Sequence, residues 1–329
     1  MKISVIVPVY GVEKYIRKNI VSLLEQKYED LEFVFVDDCS KDRSMDVLNA
    51  FLPLFKENSI KIIRQAYNQG VGAARLAGLI NSTGDYIWFV DSDDWINSKA
   101  SIILSKIIKE YKPDIIQFSH IEKTIDKNII RINNGVTLEN LLWLKTYPAL
   151  WRNVFRREFL IENDIYPVAG INYAEDFEML SRAYALTKDI VLLSNAFLYN
   201  YNNTNVNSYT HNIDQKSLCF CIDVCNSIYN FYESKKIIDS VKSCFIYVYL
   251  RWFIEISNKD NKYSGMNVAY NNIMNMYPKL FQIVNRCMKY KQSWLLLFLL
   301  RIYRFLKFNV IYKLSSYFIN SSIKTIEWK

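Results

Sequence analysis

The sequence predicts an α/β fold, a mostly parallel sheet flanked by helices, followed by an α-helical C-terminal region. Three observations carry this expectation. Over roughly the first 120 residues, short apolar β-branched runs alternate with segments of helical period, the pattern of a parallel sheet covered on both faces. Apolar residues make up 51% of the 329, enough for a sizeable core and against global disorder. Beyond about residue 212 the strand signals give way to long helical ones.

Taken in order, Ile3–Val9 reads as the opening strand and Val12–Gln26 as a helix, with Ile16, Ile20, Leu23 and Leu24 on one face. Leu31–Val36 is a second strand, and Asp42 or Ser44 can cap the helix after it. Ile60–Ile63 is a third strand, and Gly70-Val71-Gly72 opens a helix running to about Ile80. Tyr86–Val90 is short, aromatic and β-branched, as a buried strand should be. Ile102–Tyr111 is helical and Asp114–Ser119 a fifth strand. Two runs within Ile121–Ile132, on either side of Asp126-Lys127-Asn128, read as a hairpin. Ala174–Leu186 is helical, Ile190–Leu193 and Phe197–Tyr201 are short strands, and Ser217–Tyr232, Ser240–Ser257 and Tyr290–Lys307 are candidate helices. The expected division is an α/β domain at residues 1–212 and a helical region with a basic tail at 213–329.

The formal charge of +8 is unevenly spread. Residues 261–329 hold eleven Lys/Arg and one acid, Glu327. That tail is also rich in Leu, Phe and Ile, so it suits an anionic membrane surface better than nucleic acid, for which no motif is present. Arg301, Arg304 and Lys307 share one arc of the Tyr290–Lys307 helix. The uncharged run Trp294–Leu300 falls short of the roughly 20 apolar residues that span a bilayer, so the helix is expected to lie in the membrane interface. The six cysteines match neither a zinc ribbon nor a disulfide framework and read as reduced core thiols. The segment after Lys2 is too short for a signal-peptide core. The expected location is cytoplasmic, peripheral on the inner face of the cell membrane.

In parallel sheets, ligands bind beyond the carboxyl ends of the strands, so the loops there hold the candidate chemistry. Asp91, Asp93 and Asp94 end an apolar strand, where carboxylates are seldom buried unpaired. In extended chain Asp91 and Asp93 point to the same side, which suits a hard divalent cation. The functional reading is a cation bound by Asp93, with Asp91 holding a ribose or the metal. The alternative is a helix cap, which needs one Asp. Asp37-Asp38 reads either as turn chemistry or as an acceptor of hydrogen bonds from a base or sugar. Asn68-Gln69-Gly70-Val71-Gly72 with Arg75 opens a helix suited to phosphate, though its glycines can also serve close packing. Glu175-Asp176 starts a helix, favoured there by the dipole or placed as a general base. His211 is a metal ligand only if its loop folds towards Asp93, and is structural otherwise.

Together these segments resemble the inverting family-two glycosyltransferases, which have the GT-A (Rossmann-like) fold. Val5-Ile6-Val7-Pro8-Val9-Tyr10, Phe35-Val36-Asp37-Asp38-Cys39-Ser40, Asn68-Gln69-Gly70 with Ala74-Arg75, Asp91-Ser92-Asp93-Asp94 and Tyr173-Ala174-Glu175-Asp176-Phe177 follow that family's motifs in order and spacing. Gly11, Cys39 and Leu76 stand where the family usually has Asn, Gly and Asn. The resemblance implies transfer from a nucleotide sugar, a UDP-hexose or UDP-N-acetylhexosamine, to a saccharide hydroxyl in polysaccharide synthesis of the capsule, exopolysaccharide or O-antigen type. It implies Pro8, Tyr10, Asp37, Asp38, Arg75, Asp91 and Ser92 at the nucleotide. It further implies Mn²⁺ or Mg²⁺ on Asp91 and Asp93, with His211 as an extra ligand, and Asp176 as the catalytic base. Trp151, Arg152 and Glu175 are expected on the acceptor side, and a membrane-bound tail would suit a lipid-linked acceptor. Two other classes compete. A sugar-nucleotide pyrophosphorylase would need a Gly-rich basic loop after the first strand, where Tyr10-Gly11-Val12-Glu13 stands. A catalytically inactive, membrane-associated glycan- or nucleotide-binding protein would not need Asp93 and Asp176.

Overall fold

The computed structural model describes residues 1–205, 215–257, 265–289 and 322–328. One half of its sheet is parallel. Strands β1 (Ile3–Val9), β2 (Leu31–Asp37), β3 (Ile60–Arg64) and β4 (Tyr86–Phe89) are joined through helices α1 (Ile16–Leu24), α2 (Ser44–Phe51) and α3 (Val71–Asn81). They lie in the order β4-β1-β2-β3. The β1–β2 register runs from Ile3↔Leu31 to Val9↔Asp37, so the acidic loops after β2 and β4 emerge at one edge. Every residue of β1 is buried, as a central strand covered on both faces requires. Alternate residues feed two cores. Ile6, Val34 and Val36 face the side where α3 packs, and Val5, Val7, Phe33 and Phe35 face α1 and α2.

The other half is mixed. It contains β5 (Trp95–Ile96), β6 (Ile115–Lys123), β7 (Asn128–Arg131), β8 (Asn153–Arg156) and β9 (Asp189–Asn202), with α4 (Ala100–Tyr111), α5 (Leu138–Leu142), α6 (Arg157–Glu162) and α7 (Glu175–Leu186) between them. Strand β8 is wedged antiparallel between β4 and β6, and β9 runs parallel to β6. The expected hairpin is present: β6 and β7 pair antiparallel up to Lys123↔Asn128. The two short strands expected at 190–201 are one strand, whose register to β6 shifts near Ser119. The sequence reading did not contain β8, because Asn153-Val154-Phe155-Arg156 is too short and polar-ended to set a period.

Helices α8 (Gln215–Ser234), α9 (Ile238–Ser257), α10 (Gly265–Met276) and α11 (Pro278–Lys289) follow. They continue the core on the α7 side: Phe177 meets Trp252 at 5.2 Å and Trp143 meets Tyr247 at 5.2 Å. The chain then returns to the sheet, where β10 (Ser322–Thr325) pairs parallel with β9 at Asp189–Leu192. The helix expected at 290–307 lies outside the described residues. Among the described residues, no helix is long and apolar enough to cross a membrane, and Cys39, Cys221, Cys225 and Cys244 are free thiols.

Candidate active site

The loops after β2 and β3 are clamped together by one carboxylate. Asp38 is 3% exposed and accepts from Gln69 N–H at 2.7 Å and Gly70 N–H at 2.8 Å. Asp37, less buried, accepts from Ser40 N–H at 2.8 Å. Cys39 follows the two acids with φ of 59°, a left-handed backbone that a glycine adopts more easily. Pro8 and Ser92 are buried, whereas the Tyr10 ring, 47% exposed, projects from the end of β1.

The three acids after β4 divide their tasks. Asp94 is buried and bonded to its own protein, accepting from Asn202 N–H at 2.6 Å and the Tyr199 hydroxyl at 2.7 Å. Asn19 Nδ2 donates to the carbonyls of Asp91 and Asp94 and fixes the turn. Asp93 accepts from Asn205 Nδ2 at 2.8 Å. Burial, together with the Asp91 charge, pushes the Asp93 carboxyl up to about 6. Asp91 and Asp93 thus offer hard carboxylate oxygens in a place that disfavours two negative charges, which is where a divalent cation fits. Among the described residues no cluster of three or more such ligands is present, and His211 lies outside those residues.

Arg75 joins this cluster to the next. Helix α3 starts at Gly70, whose φ is 89°, and a Cβ on Gly78 would come within 2.3 Å of Ile6. Close seating on the sheet turns Arg75 inward, where it is 3% exposed. Its Nη2 donates to Asp91 Oδ1 at 2.9 Å, and its Nη1 donates to Glu175 Oε1 and Asp176 Oδ1, both at 2.8 Å. The guanidinium expected at the nucleotide is therefore engaged by three carboxylates. Gly70 and Gly72 serve a different contact from Gly78: a Cβ on Gly70 would strike Asn172, and one on Gly72 would lie 2.4 Å from the Val168 carbonyl. They let the segment before α7 lie against the start of α3.

That segment delivers Glu175 and Asp176 to the first turn of α7, after Ala174 at φ 61°. Asp176 Oδ2 accepts from Leu150 N–H at 3.0 Å, while Oδ1 takes the Arg75 bond. Burial pushes this carboxyl up to about 7, with Glu175 and Asp91 adding to the rise and Arg75 opposing it. A carboxylate poised there can remove a proton near neutral pH. Trp151 is 5% exposed and stacks on Tyr199 at 4.5 Å and Tyr201 at 5.6 Å, so it is a packed wall of the cleft. Arg152 follows it, half-buried, with Nη2 donating to the Tyr147 carbonyl.

The structure thus brings Arg75, Asp91, Glu175 and Asp176 together, with Trp151 and Arg152 beyond Asp176. Sequence reasoning missed Tyr199, Asn202, Asn205 and the Leu150 N–H, which hold the acids in place. The dense run Asn200-Tyr201-Asn202-Asn203-Thr204-Asn205 is the signal that could have found the asparagines, since side-chain amides satisfy buried turns.

Residues 4–163 match the profile of Glycosyl transferase family 2. The glycosyltransferase GlyA of Streptococcus pneumoniae is 46% identical over 114 residues, 35% of this chain and 16% of that protein. A poly(ribitol-phosphate) beta-glucosyltransferase of Bacillus spizizenii is 33% identical over 204 residues, 58% of this chain and 30% of that protein. The chain therefore spans less than a third of either relative. Among solved structures, residues 1–349 of TarS from Staphylococcus aureus superpose with a TM-score of 0.65 at 23% identity, covering 86% of this chain and 83% of that one. The likeness shows that the fold is GT-A.

Proposed function

We propose, on the premise that residues 4–163 form a glycosyl transferase family 2 domain, that the protein transfers a sugar from a nucleotide sugar to a hydroxyl. We take the donor to be a UDP-sugar, because a TarS structure that shares the fold was solved with UDP-GlcNAc. The carrying observation is the Arg75 guanidinium, which bonds Asp91 on one side and Asp176 on the other. It sets a strand-end acid suited to the donor and an acid suited to proton removal at one small cleft.

In this reading Tyr10 packs against the base, and Asp37 or the Asp38-clamped loop accepts from it. Asp91 and Asp93 would hold Mn²⁺ or Mg²⁺, which supplies charge neutralisation for a leaving diphosphate. Asp176 takes the proton of the acceptor hydroxyl as its oxygen attacks the anomeric carbon opposite the nucleotide, so configuration inverts in one displacement. Leu150 N–H and Arg75 hold the Asp176 carboxylate in position for that step. The product pathway we infer is polysaccharide synthesis, with the basic tail at a membrane surface.

A donor screen tests the reading. UDP-, GDP- and dTDP-sugars are supplied with Mn²⁺, and release of the nucleoside diphosphate is followed with and without chelator. A UDP-sugar should be consumed and the chelator should stop it. If no nucleotide sugar is turned over or bound, the assignment is wrong.

A further inference from the structure

Among the described residues, one arginine near Asp176 has no carboxylate within ion-pair distance. Arg75 is paired with three carboxylates, and Arg131, on the neighbouring hairpin, is paired with Glu122 at 2.6 Å. Arg152 differs. Among the described residues its Nη2 donates to a main-chain carbonyl, no carboxylate pairs with it, and its Nε is buried without a partner. A guanidinium without an ion pair is costly to keep in such a place, and the Asp176 charge offsets its burial only in part. An incoming anion relieves that cost, and a planar fork of donors matches phosphate oxygens.

Its position says which substrate would bring the anion. Asp91, Arg75, Asp176 and the Leu150 N–H form a continuous row of hydrogen bonds. One oxygen of Asp176 faces Arg75 and the strand-end acids, and the other faces the Leu150–Arg152 turn. Arg152 thus lies on the far side of Asp176 from Asp91, where the hydroxyl-bearing substrate must approach. Tyr147 beside it is 61% exposed as a residue, and burial around its hydroxyl, followed by the nearby Asp176 charge, raises its phenol. An aromatic edge next to a cation suits a polyol or sugar that carries a phosphate.

We propose that Arg152, with the exposed Tyr147, forms a subsite for a phosphate ester on the acceptor, so that the enzyme prefers phosphorylated polyols or sugars to neutral ones. This rests on the glycosyltransfer reading above. The test is a binding measurement, so that it does not depend on turnover. Protein saturated with UDP and Mn²⁺ is titrated with sn-glycerol 3-phosphate against glycerol, and with ribitol 5-phosphate against ribitol. UDP occupancy keeps the probe phosphate out of the donor's diphosphate position. The wild type should bind the phosphate esters about tenfold or more tighter than the alcohols, as a charged hydrogen bond allows. Arg152→Gln should lose that preference and Arg152→Lys should keep part of it. Equal affinity for ester and alcohol in the wild type overturns the proposal, as does a preference that survives in Arg152→Gln. A preference that vanishes once UDP is bound also overturns it, because Arg152 would then serve the donor. The same titration is run without UDP and Mn²⁺, and that arm stays readable if the donor screen fails, so the two readings fail separately.

Discussion

Asp94 after β4 and Asp176 at the start of α7 are the same residue type but are stabilised differently. Asp94 is held by neutral donors, a tyrosine hydroxyl and a backbone amide. Asp176 is held by one backbone amide and a share of one guanidinium. Neutral donors shape a turn and leave the charge pattern alone. A shared guanidinium makes each carboxylate depend on the others, because Asp91, Glu175 and Asp176 divide one positive charge among them. The first arrangement suits a scaffold and the second suits a group that must change protonation state during each turnover.

The comparison breaks most completely at Arg75. Arg75→Met leaves three half-buried carboxylates without a cation, and loss of one partner of a buried ion pair costs up to about 3–5 kcal/mol. Urea unfolding should show that loss together with near-complete loss of transfer. A cost below about 1 kcal/mol would mean that the two acid clusters are independent. Asp176→Asn should separate chemistry from stability. Transfer should fall about 10²–10⁴-fold, the usual contribution of a general base, while the unfolding midpoint changes little, because the amide can still accept from Leu150 N–H.

The smallest expected effect is the pH profile. Asp176 works as a base only when ionised, and its carboxyl is pushed up to about 7 by burial. Transfer efficiency, kcat/KM, should therefore rise about tenfold per pH unit below that value and level off above it. The limb should be missing from the residual activity of Asp176→Asn. A wild-type profile flat between pH 5 and 8, values spanning the neutral range where such a shifted group titrates, would place the base elsewhere.

Much of this could be read from the chain because its parallel half obeys local rules. Strands β1, β2 and β4 are mainly apolar and each ends in a turn or an acid, so the loops that carry Asp37, Asp38 and Asp91–Asp94 can be placed from the sequence alone. The other half resists such reading for a physical reason. Strand β8 is short and pairs antiparallel between β4 and β6, β10 arrives from far along the chain, and both depend on tertiary pairing rather than on period. The role of Arg75 was hidden in the same way. On α3 it looked like a phosphate ligand at a helix start, and only its distance to residues 100 positions away reveals a strut between two sets of acids.

Strand β10 has a consequence for how such proteins can vary. The chain leaves the sheet after β9 and rejoins it beside the same strand, with α8 to α11 between the two in sequence. The entropic cost of closing a flexible loop grows only with the logarithm of its length, about 0.6 kcal/mol per doubling. Insertions in the connections between these helices, rather than in the helices that pack on the core, should be inexpensive so long as β9 and β10 remain paired, which lets this segment vary in length while the sheet that carries the acids stays the same.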